Sequence, residues 1–182
     1  MPRLNVGSLM PNFEFATPYA PENRLSETVK KVPGKTAIVF LRYLGCRMCQ
    51  LDMLDYEEGY APIAENGGQL LIVLQSDPAK VAADIPQGQV PYTIICDPDQ
   101  TLYKLFDIRP ASSKETMKDE TSAAKFARIE EKRLVHGDFE GEELQLPAAF
   151  VVDHDLRVTF ARYGRVISDT PTADELAELV KA

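Results

Sequence analysis

The sequence is poor in cysteine, in basic residues relative to acidic ones, and in long apolar runs. Three cysteines among 182 residues are too few for a disulfide scaffold. The 20 basic and 28 acidic residues give a net charge of −8, which argues against nucleic-acid binding because contact with phosphates needs a basic face. The longest apolar runs, TAIVFL and QLLIVLQ, are far shorter than the roughly 20 residues of a membrane span.

The N-terminal stretch MPRLNVGSLM has no apolar segment followed by a small-residue cleavage site, so no signal peptide is expected. The expected location is therefore the cytoplasm. Thiols are kept reduced there by glutathione and thioredoxin, so a close pair of cysteines indicates catalysis or metal binding. The composition, 45% hydrophobic and 26% charged, fits one soluble domain over residues 1–182.

The order of secondary-structure patterns predicts an α/β fold. TAIVFLRY and GGQLLIVLQS are typical of buried strands because nearly every position is apolar. The range from about Cys46 to Ala64 has helical spacing with an irregular end, and Asp77 followed by proline marks another helix start. AAFVVDHDLRVTFARYG is typical of a β-hairpin. These elements predict a mixed central sheet with helices on both faces and a helical insertion at about residues 111–143, before the hairpin.

The stretch GCRMCQ places two cysteines three residues apart where a buried strand gives way to a helix. The first turn of a helix has unpaired N–H groups and the positive end of the dipole, and both favour thiolate over thiol. Cys46 is expected to be the exposed nucleophile, and Cys49 the more buried thiol that resolves its adducts. Arg47, between them, is expected to lower the pKa of Cys46. Arg42 is a second candidate whose direction the sequence leaves open.

Three other interpretations of the pair are weaker. A zinc site needs four ligands at suitable spacing, and the chain has no second closely spaced pair of ligands. The full supply is Cys46, Cys49, Cys96, His136 and His154. A c-type haem needs histidine directly after the second cysteine, where the chain has Gln50. Two inert thiols are disfavoured by the strand–glycine–cysteine junction, and Cys96, which ends a buried strand, is expected to be a core residue. No metal or cofactor is therefore expected.

Four segments resemble redoxins of the alkyl hydroperoxide reductase and thiol-specific antioxidant (AhpC/TSA) family. They are LNVGSLMPNFEFAT, IVFLRYLGCRMCQ, IICDPDQTLYKLFDI and LPAAFVVDHDLRV, in the family's order. The resemblance implies a thioredoxin-like fold. It also implies that Pro147 is preceded by a cis peptide bond and faces the active-site cysteines, which would leave the backbone of Leu146 free to pair with an extended partner peptide.

The chain departs from the family pattern at positions that matter for the chemistry. Typical peroxiredoxins carry P-x-x-x-T-x-x-C, whose threonine, with a separate arginine, positions the peroxide. The corresponding positions are Val39 and Tyr43, and Pro147 stands where the arginine is expected. Thioredoxins have a buried aspartate six residues before the first cysteine, which helps to deprotonate the second; that position is Phe40. The base that activates Cys49 is therefore unidentified in the sequence.

Two functions of different classes are compatible with these features. The first is a thiol-disulfide oxidoreductase or antioxidant redoxin in which a Cys46–Cys49 dithiol reduces disulfides or hydroperoxides, with thioredoxin or glutathione as electron donor. A homodimer is compatible with the resemblance. The second is a non-enzymatic redox sensor, in which oxidation of the pair alters a partner surface on the inserted segment KETMKDETSAAKFARIEEKRLV. The simpler interpretation of that segment is a solvated lid helix.

Overall fold

The computed structural model describes residues 3–182. A small antiparallel sheet, β1 (Glu14–Phe15) and β2 (Asn23–Arg24), precedes the main sheet. The strands of the main sheet are β3 (Thr36–Phe40), β4 (Gln69–Leu74), β5 (Thr93–Cys96), β6 (Ala148–Val152) and β7 (Val158–Tyr163). Their spatial order is β5-β4-β3-β6-β7. The first three run parallel and the last two form an antiparallel hairpin beside β3.

Helices lie on both faces of this sheet. They are α1 (Leu25–Thr28), α2 (Arg47–Glu58), α3 (Tyr60–Glu65), α4 (Pro78–Asp84), α5 (Thr101–Leu105), α6 (Ala123–Glu131) and α7 (Ala173–Leu179), with 3₁₀ turns at Val29–Lys31 and Glu120–Ser122. No helix among residues 3–182 is both long and apolar enough to cross a membrane.

The alternation of side chains in β3 explains why the strand is apolar from Ala37 to Phe40. Ala37 and Val39 belong to the core under α2, α3, α4, α6 and α7, whereas Ile38 and Phe40 belong to the core under α1 and α5. Successive side chains in a strand point to opposite faces, so a strand covered on both sides must be apolar at every position. The predicted mixed sheet with helices on both faces is confirmed.

Local signals placed several helix boundaries correctly. The helical range from about Cys46 to Ala64 was expected to have an irregular end, and it is interrupted at Gly59, between α2 and α3. The Asp77 carboxylate accepts a hydrogen bond from the Ala79 N–H at 2.8 Å and caps α4, with Pro78 as its first residue. Both features agree with the sequence-based expectation.

The inserted segment is helical in only part of its length. Residues 120–131 form the second 3₁₀ turn and α6, and no helix or strand lies between residues 132 and 147. Helix α6 packs across α2 through ion pairs, among them Lys125 with Asp52 and Arg128 with Asp55. One face of α6 therefore packs against α2. The irregular stretch after α6 continues towards the cysteines.

Candidate active site

Cys46 is the N-cap residue of α2. Its backbone is extended, with φ −72° and ψ 121°, and its Sγ accepts a hydrogen bond from the Cys49 N–H at 3.3 Å. The sulfur thus occupies the place that a serine or aspartate oxygen takes in an ordinary cap. A negative charge on this sulfur faces the positive end of the helix dipole, so the predicted placement at the helix start is confirmed.

Arg42 supplies the positive charge at the Cys46 sulfur. Its Nη2 donates to Cys46 Sγ at 3.0 Å, and its backbone N–H donates to Cys49 Sγ at 3.3 Å. Its Nη1 donates to the carbonyl oxygen of Glu143. Burial by itself raises the pKa of Cys46, but the hydrogen bond from Cys49 and the charge of Arg42 outweigh it and lower the pKa from 9.0 to about 6. Cys46 is therefore largely a thiolate at neutral pH.

The expected role of Arg47 is wrong. Its guanidinium pairs with Glu130 of α6, Nη1 to Oε1 at 2.8 Å, and the cation that lowers the pKa of Cys46 is Arg42. Arg47 is the first residue of α2, where successive side chains project in different directions around the helix. Arg42, whose direction the sequence left open, holds the thiolate instead.

The second thiol has the opposite electrostatic environment. Burial, followed by the hydrogen bond to Cys46 and the negative charge there, raises the pKa of Cys49 well above its ordinary value. Cys49 is therefore a protonated thiol beside a thiolate. This asymmetry assigns different chemical capacities to the two cysteines: Cys46 is the better nucleophile in the reduced protein.

Cys46 is buried, which corrects the expectation of an exposed nucleophile. Its relative solvent exposure is 0%. Residues 135–143, here called the strap, contact the chain on both sides of this cysteine. The Gly137 N–H donates to the Gly45 carbonyl at 2.8 Å, and the Gln50 side-chain amide donates to the Val135 carbonyl at 3.1 Å. The strap comes from the far end of the insertion, about ninety residues along the chain, so the sequence near Cys46 does not reveal it.

The strap is also held on the far side of the active-site loop. The carboxylate of Glu140 accepts hydrogen bonds from Ser76 Oγ at 2.9 Å and from the Asp77 N–H at 3.1 Å. The Glu142 N–H donates to Gln75 Oε1 at 2.8 Å. Most of the contacts that hold the strap are polar, and its apolar side chains Val135 and Phe139 stay largely exposed, which makes it the natural element to move when Cys46 meets a large partner.

A methyl group at position 45 is expected to displace the strap. A Cβ added to Gly45 would meet the carbonyl oxygen of Asp138 and come within 2.8 Å of the carbonyl carbon of Gly137, so backbone must shift. For Gly45→Ala we expect alkylation of Cys46 by iodoacetamide to accelerate about tenfold and the free energy of unfolding to fall by about 1–3 kcal/mol. The rates are compared at pH 8.5, where the thiol of Cys46 is ionised in both proteins. An unchanged rate in the folded variant would show that the strap does not limit access.

A cavity of about 270 Å³ opens beside Arg42 and Tyr43. Aromatic side chains form one wall: the Tyr43 hydroxyl lies 3.2 Å from His136 Nε2, and the His136 ring lies 4.3 Å from that of Phe139. Burial is the main cause that raises the pKa of Tyr43 to about 12. Tyr43, which occupies the position of the family's threonine and is therefore a candidate supporting residue, thus lies at the site. His136, which the sequence analysis named only among possible zinc ligands, is its partner.

The peptide bond before Pro147 is trans, so the expected cis bond is wrong. Pro147 leads directly into β6, and its carbonyl accepts a hydrogen bond from the Gly164 N–H at 2.8 Å. The trans form is the lower-energy one for X-Pro bonds generally. The carbonyl of Leu146 accepts from the Gln145 side chain at 3.1 Å and is already bonded within the chain. Pro147 nevertheless lines a small cavity together with Cys49.

Cys96 lies apart from the pair, at the end of β5, and belongs to the buried core. Burial is the main cause that raises its pKa to about 12, which leaves almost no thiolate at neutral pH. We expect Cys96→Ser to keep turnover within about twofold of the wild type, because an inert buried thiol contributes packing alone. Loss of activity in a variant that unfolds normally would place Cys96 among the reacting residues.

The chain matches known proteins through its family and its fold. The model of the AhpC/TSA family matches residues 6–161, which include both cysteines and the whole insertion. No curated protein matches the chain in a sequence search.

Three solved structures show how widely the same fold is used. Peroxidoxin BcpB from Mycobacterium tuberculosis aligns with a TM-score of 0.68 at 15% identity, over 97% of this chain and 96% of that one. A thiol peroxidase from Chromobacterium violaceum aligns with a TM-score of 0.63 at 13% identity, over 97% of this chain and 86% of that one. A protein assigned as thiol:disulfide interchange protein DsbE from Chlorobium tepidum aligns with a TM-score of 0.58 at 16% identity, over 97% of this chain and 95% of that one. These similarities confirm the predicted thioredoxin-like fold.

Proposed function

We propose, since the chain belongs to the AhpC/TSA family and is a thiol-dependent oxidoreductase, that it reduces small hydroperoxides through a Cys46–Cys49 dithiol. One observation carries the choice of substrate: the reactive sulfur is fully buried yet is held as a thiolate by Arg42. A hydroperoxide is small enough to reach such a sulfur, whereas a protein disulfide needs the strap to open.

Arg42 has hydrogen-bonding capacity to spare for the substrate. Its Nη2 and Nη1 are used by Cys46 and the Glu143 carbonyl. Its Nε is buried and has no hydrogen-bond partner within residues 3–182. An unsatisfied buried donor is unfavourable by about 1–3 kcal/mol, and a peroxide oxygen beside the thiolate would accept from it. Arg42 then donates hydrogen bonds to both the Cys46 thiolate and the peroxide. The chain has Tyr43 where typical peroxiredoxins carry the threonine that positions the peroxide.

The first step is a displacement on oxygen. The Cys46 thiolate attacks the outer oxygen of ROOH, so that an S–O bond forms and the O–O bond breaks. The sulfur loses two electrons and becomes a sulfenic acid, and the leaving RO⁻ takes up a proton and departs as an alcohol, or as water when R is hydrogen. Positive charge from Arg42 stabilises the negative charge that develops on the oxygens.

The second step joins the two cysteines. Cys49 attacks the sulfenic sulfur, a Cys46–Cys49 disulfide forms, and the hydroxyl leaves as water. A dithiol reductant then exchanges with this disulfide and returns both cysteines to the reduced state. Because that reductant must reach a buried sulfur, opening of the strap belongs to this half of the cycle.

Thiol-disulfide exchange with a protein substrate is the second candidate, and the C-x-x-C spacing itself favours it. Cys46 would attack a substrate disulfide to give a mixed disulfide, and Cys49 would resolve it. The two candidates share both residues and the same oxidised product, so substrate comparison separates them.

The test is single-turnover oxidation of the reduced protein by hydrogen peroxide, by cumene hydroperoxide and by a protein disulfide, each at the same concentration. Peptide mapping follows the Cys46–Cys49 disulfide, and free cysteine at the same pH serves as the reference thiol. We expect one hydroperoxide consumed for every two thiols lost, at a rate at least about 10²-fold above that of free cysteine.

Peroxide reactivity no greater than that of free cysteine, together with rapid reaction of the protein disulfide, would support the second candidate. Failure of every oxidant to form the internal disulfide would contradict both.

The proposal has four further parts. The protein is cytoplasmic, and its electron donor is thioredoxin or glutathione. It forms a homodimer, and residues 1–182 act as one domain. The donor is tested by adding each reductant separately to the oxidised protein, and the assembly by sedimentation at several protein concentrations. The reduced thiols of the cytoplasm suit a site that must return to the dithiol after each turnover.

A further inference from the structure

The proposed cycle needs a proton acceptor for Cys49. In the reduced protein the Cys49 thiol lies beside the negative charge of the Cys46 thiolate. Once Cys46 is oxidised its sulfur no longer carries the negative charge that could take the proton, while Cys49 must lose its proton to attack. Phe40 occupies the position at which thioredoxins carry an aspartate for this purpose, so the acceptor lies elsewhere.

One carboxylate faces the small cavity beside Cys49. The cavity has a volume of about 10 Å³, which is close to the minimum that can hold one water molecule. Eight residues line it, among them Arg42, Cys49, Asp52 and Pro147. Asp52 is the one acidic residue in this set. It follows Cys49 by three positions in α2, which places both side chains on the same helical face.

Asp52 is oriented by partners from outside its own helix. Its side chain is 4% exposed and pairs with Lys125 of α6. Thr170 connects the pair, accepting from Lys125 Nζ at 2.7 Å and donating to Asp52 Oδ2 at 3.3 Å. The cation and the hydroxyl offset part of the desolvation cost of the buried carboxylate and fix its orientation towards the cavity.

We propose that Asp52, held by Lys125, accepts the proton of Cys49 through a water molecule in this cavity. The inference rests on the proposed function, in which Cys49 resolves Cys46. The Cys49 thiol gives its proton to the carboxylate, and the resulting thiolate attacks the sulfenic sulfur of Cys46. The S–S bond forms, the S–O bond breaks, and the leaving hydroxide takes the proton back from Asp52 and departs as water. The carboxylate is thereby restored.

The surroundings of Asp52 favour an acceptor that responds to pH. The groups that face it are Cys49, Asp55 and Tyr56 on α2, Lys125 and Arg128 on α6, Thr170 before α7, and Arg42 across the cavity. Burial is the largest influence and raises the pKa of Asp52 above 3.8, against the opposing charge of Lys125. A raised pKa makes the carboxylate a stronger base while it is ionised, and the resolving step is lost as the pH falls through this value.

The test resolves the two oxidation steps after one equivalent of hydrogen peroxide is mixed with the reduced protein. Quenched samples report sulfenic acid, trapped by dimedone, and internal disulfide, both by mass spectrometry. For Asp52→Asn we expect consumption of peroxide within about twofold of the wild type and a resolving step slowed about 10²-fold, so that sulfenic acid accumulates. Its residual resolving rate rises about tenfold per pH unit, as Cys49 itself ionises.

Two further variants separate proton transfer from packing. Asp55→Asn removes the neighbouring ion pair between α2 and α6, Asp55 with Arg128 at 2.6 Å, away from the cavity, and should resolve like the wild type. Lys125→Met keeps the carboxylate but removes its cation, so its resolving rate should be low at neutral pH and recover at higher pH. Lys125→Met also serves as the test should Asp52→Asn fail to fold.

Equal slowing by Asp52→Asn and Asp55→Asn, or a wild-type pH profile in Asp52→Asn or Lys125→Met, would overturn this assignment while leaving the proposed function intact. Absence of the internal disulfide in the wild type would instead contradict the proposed function itself.

Discussion

Replacement of Cys46 by serine is expected to reduce turnover of every substrate to the uncatalysed level. A serine hydroxyl is not ionised at neutral pH, whereas the pKa of Cys46, lowered to about 6, makes roughly 90% of it thiolate at pH 7. Replacement of Cys49 by serine is expected to leave the first step intact and to halt the cycle there. Steady-state turnover and mass spectrometry after one equivalent of peroxide measure the two effects.

The pair of variants is informative because the two substitutions are expected to stop the cycle at different steps. Cys49→Ser should accumulate a dimedone-reactive sulfenic acid at Cys46, and Cys46→Ser should accumulate nothing. If Cys49→Ser turned over like the wild type, an external thiol would be the resolving group, and the pair would not act as a dithiol. Cys96→Ser is the matched control for loss of a buried sulfur.

Replacement of Arg42 by methionine should slow the first step about 10²-fold at pH 7. The variant loses the guanidinium that lies 3.0 Å from Cys46 Sγ but keeps the backbone N–H that donates to Cys49. Without the charge, the pKa of Cys46 should rise from about 6 towards 9.0, and the thiolate fraction should fall from about 90% towards about 1%, the fraction reached if the whole shift is lost. The pH dependence of alkylation by iodoacetamide measures the pKa directly, and its midpoint should move to higher pH.

The same substitution should make the internal disulfide harder to reduce, by up to about 30 mV for each unit of pKa, because the reduced, ionised form loses stabilisation. A glutathione redox titration measures this shift. Arg47→Gln is the matched control: Arg47 is also close to Cys46 in sequence but pairs with Glu130. An effect of Arg47→Gln on the Cys46 pKa as large as that of Arg42→Met would contradict the assignment of Arg42.

Helices and strands followed from local chemistry. Four apolar residues in a row after Thr36, AIVF, made β3 a central strand, and Asp77 with Pro78 began α4 as expected. The same kind of signal placed Cys46 at the start of α2, since glycine and cysteine end the short segment that joins the apolar strand to the helical pattern. Each of these features depends on residues within a few positions of one another.

The composition of the site could not be read in the same way. Arg42 and Arg47 lie four residues before and one residue after Cys46, and spacing alone favoured the wrong one. The direction of a loop side chain depends on what receives it, and the receiving group for Arg42 is the carbonyl of Glu143, 101 residues away. The burial of Cys46 depends likewise on contacts between the strap and Gly45.

The sequence by itself determined the sheet, its covering helices and a thiol pair at a helix N-terminus, because apolar periodicity and capping act over a few residues. Only the tertiary structure decided which cation lowers the pKa of Cys46, what covers it, and which carboxylate faces Cys49. Asp52 shares a helical face with Cys49 wherever α2 is helical, but its partner Lys125 is 73 residues away. Charges act through space, so the site's electrostatics depend on how the insertion folds back over α2.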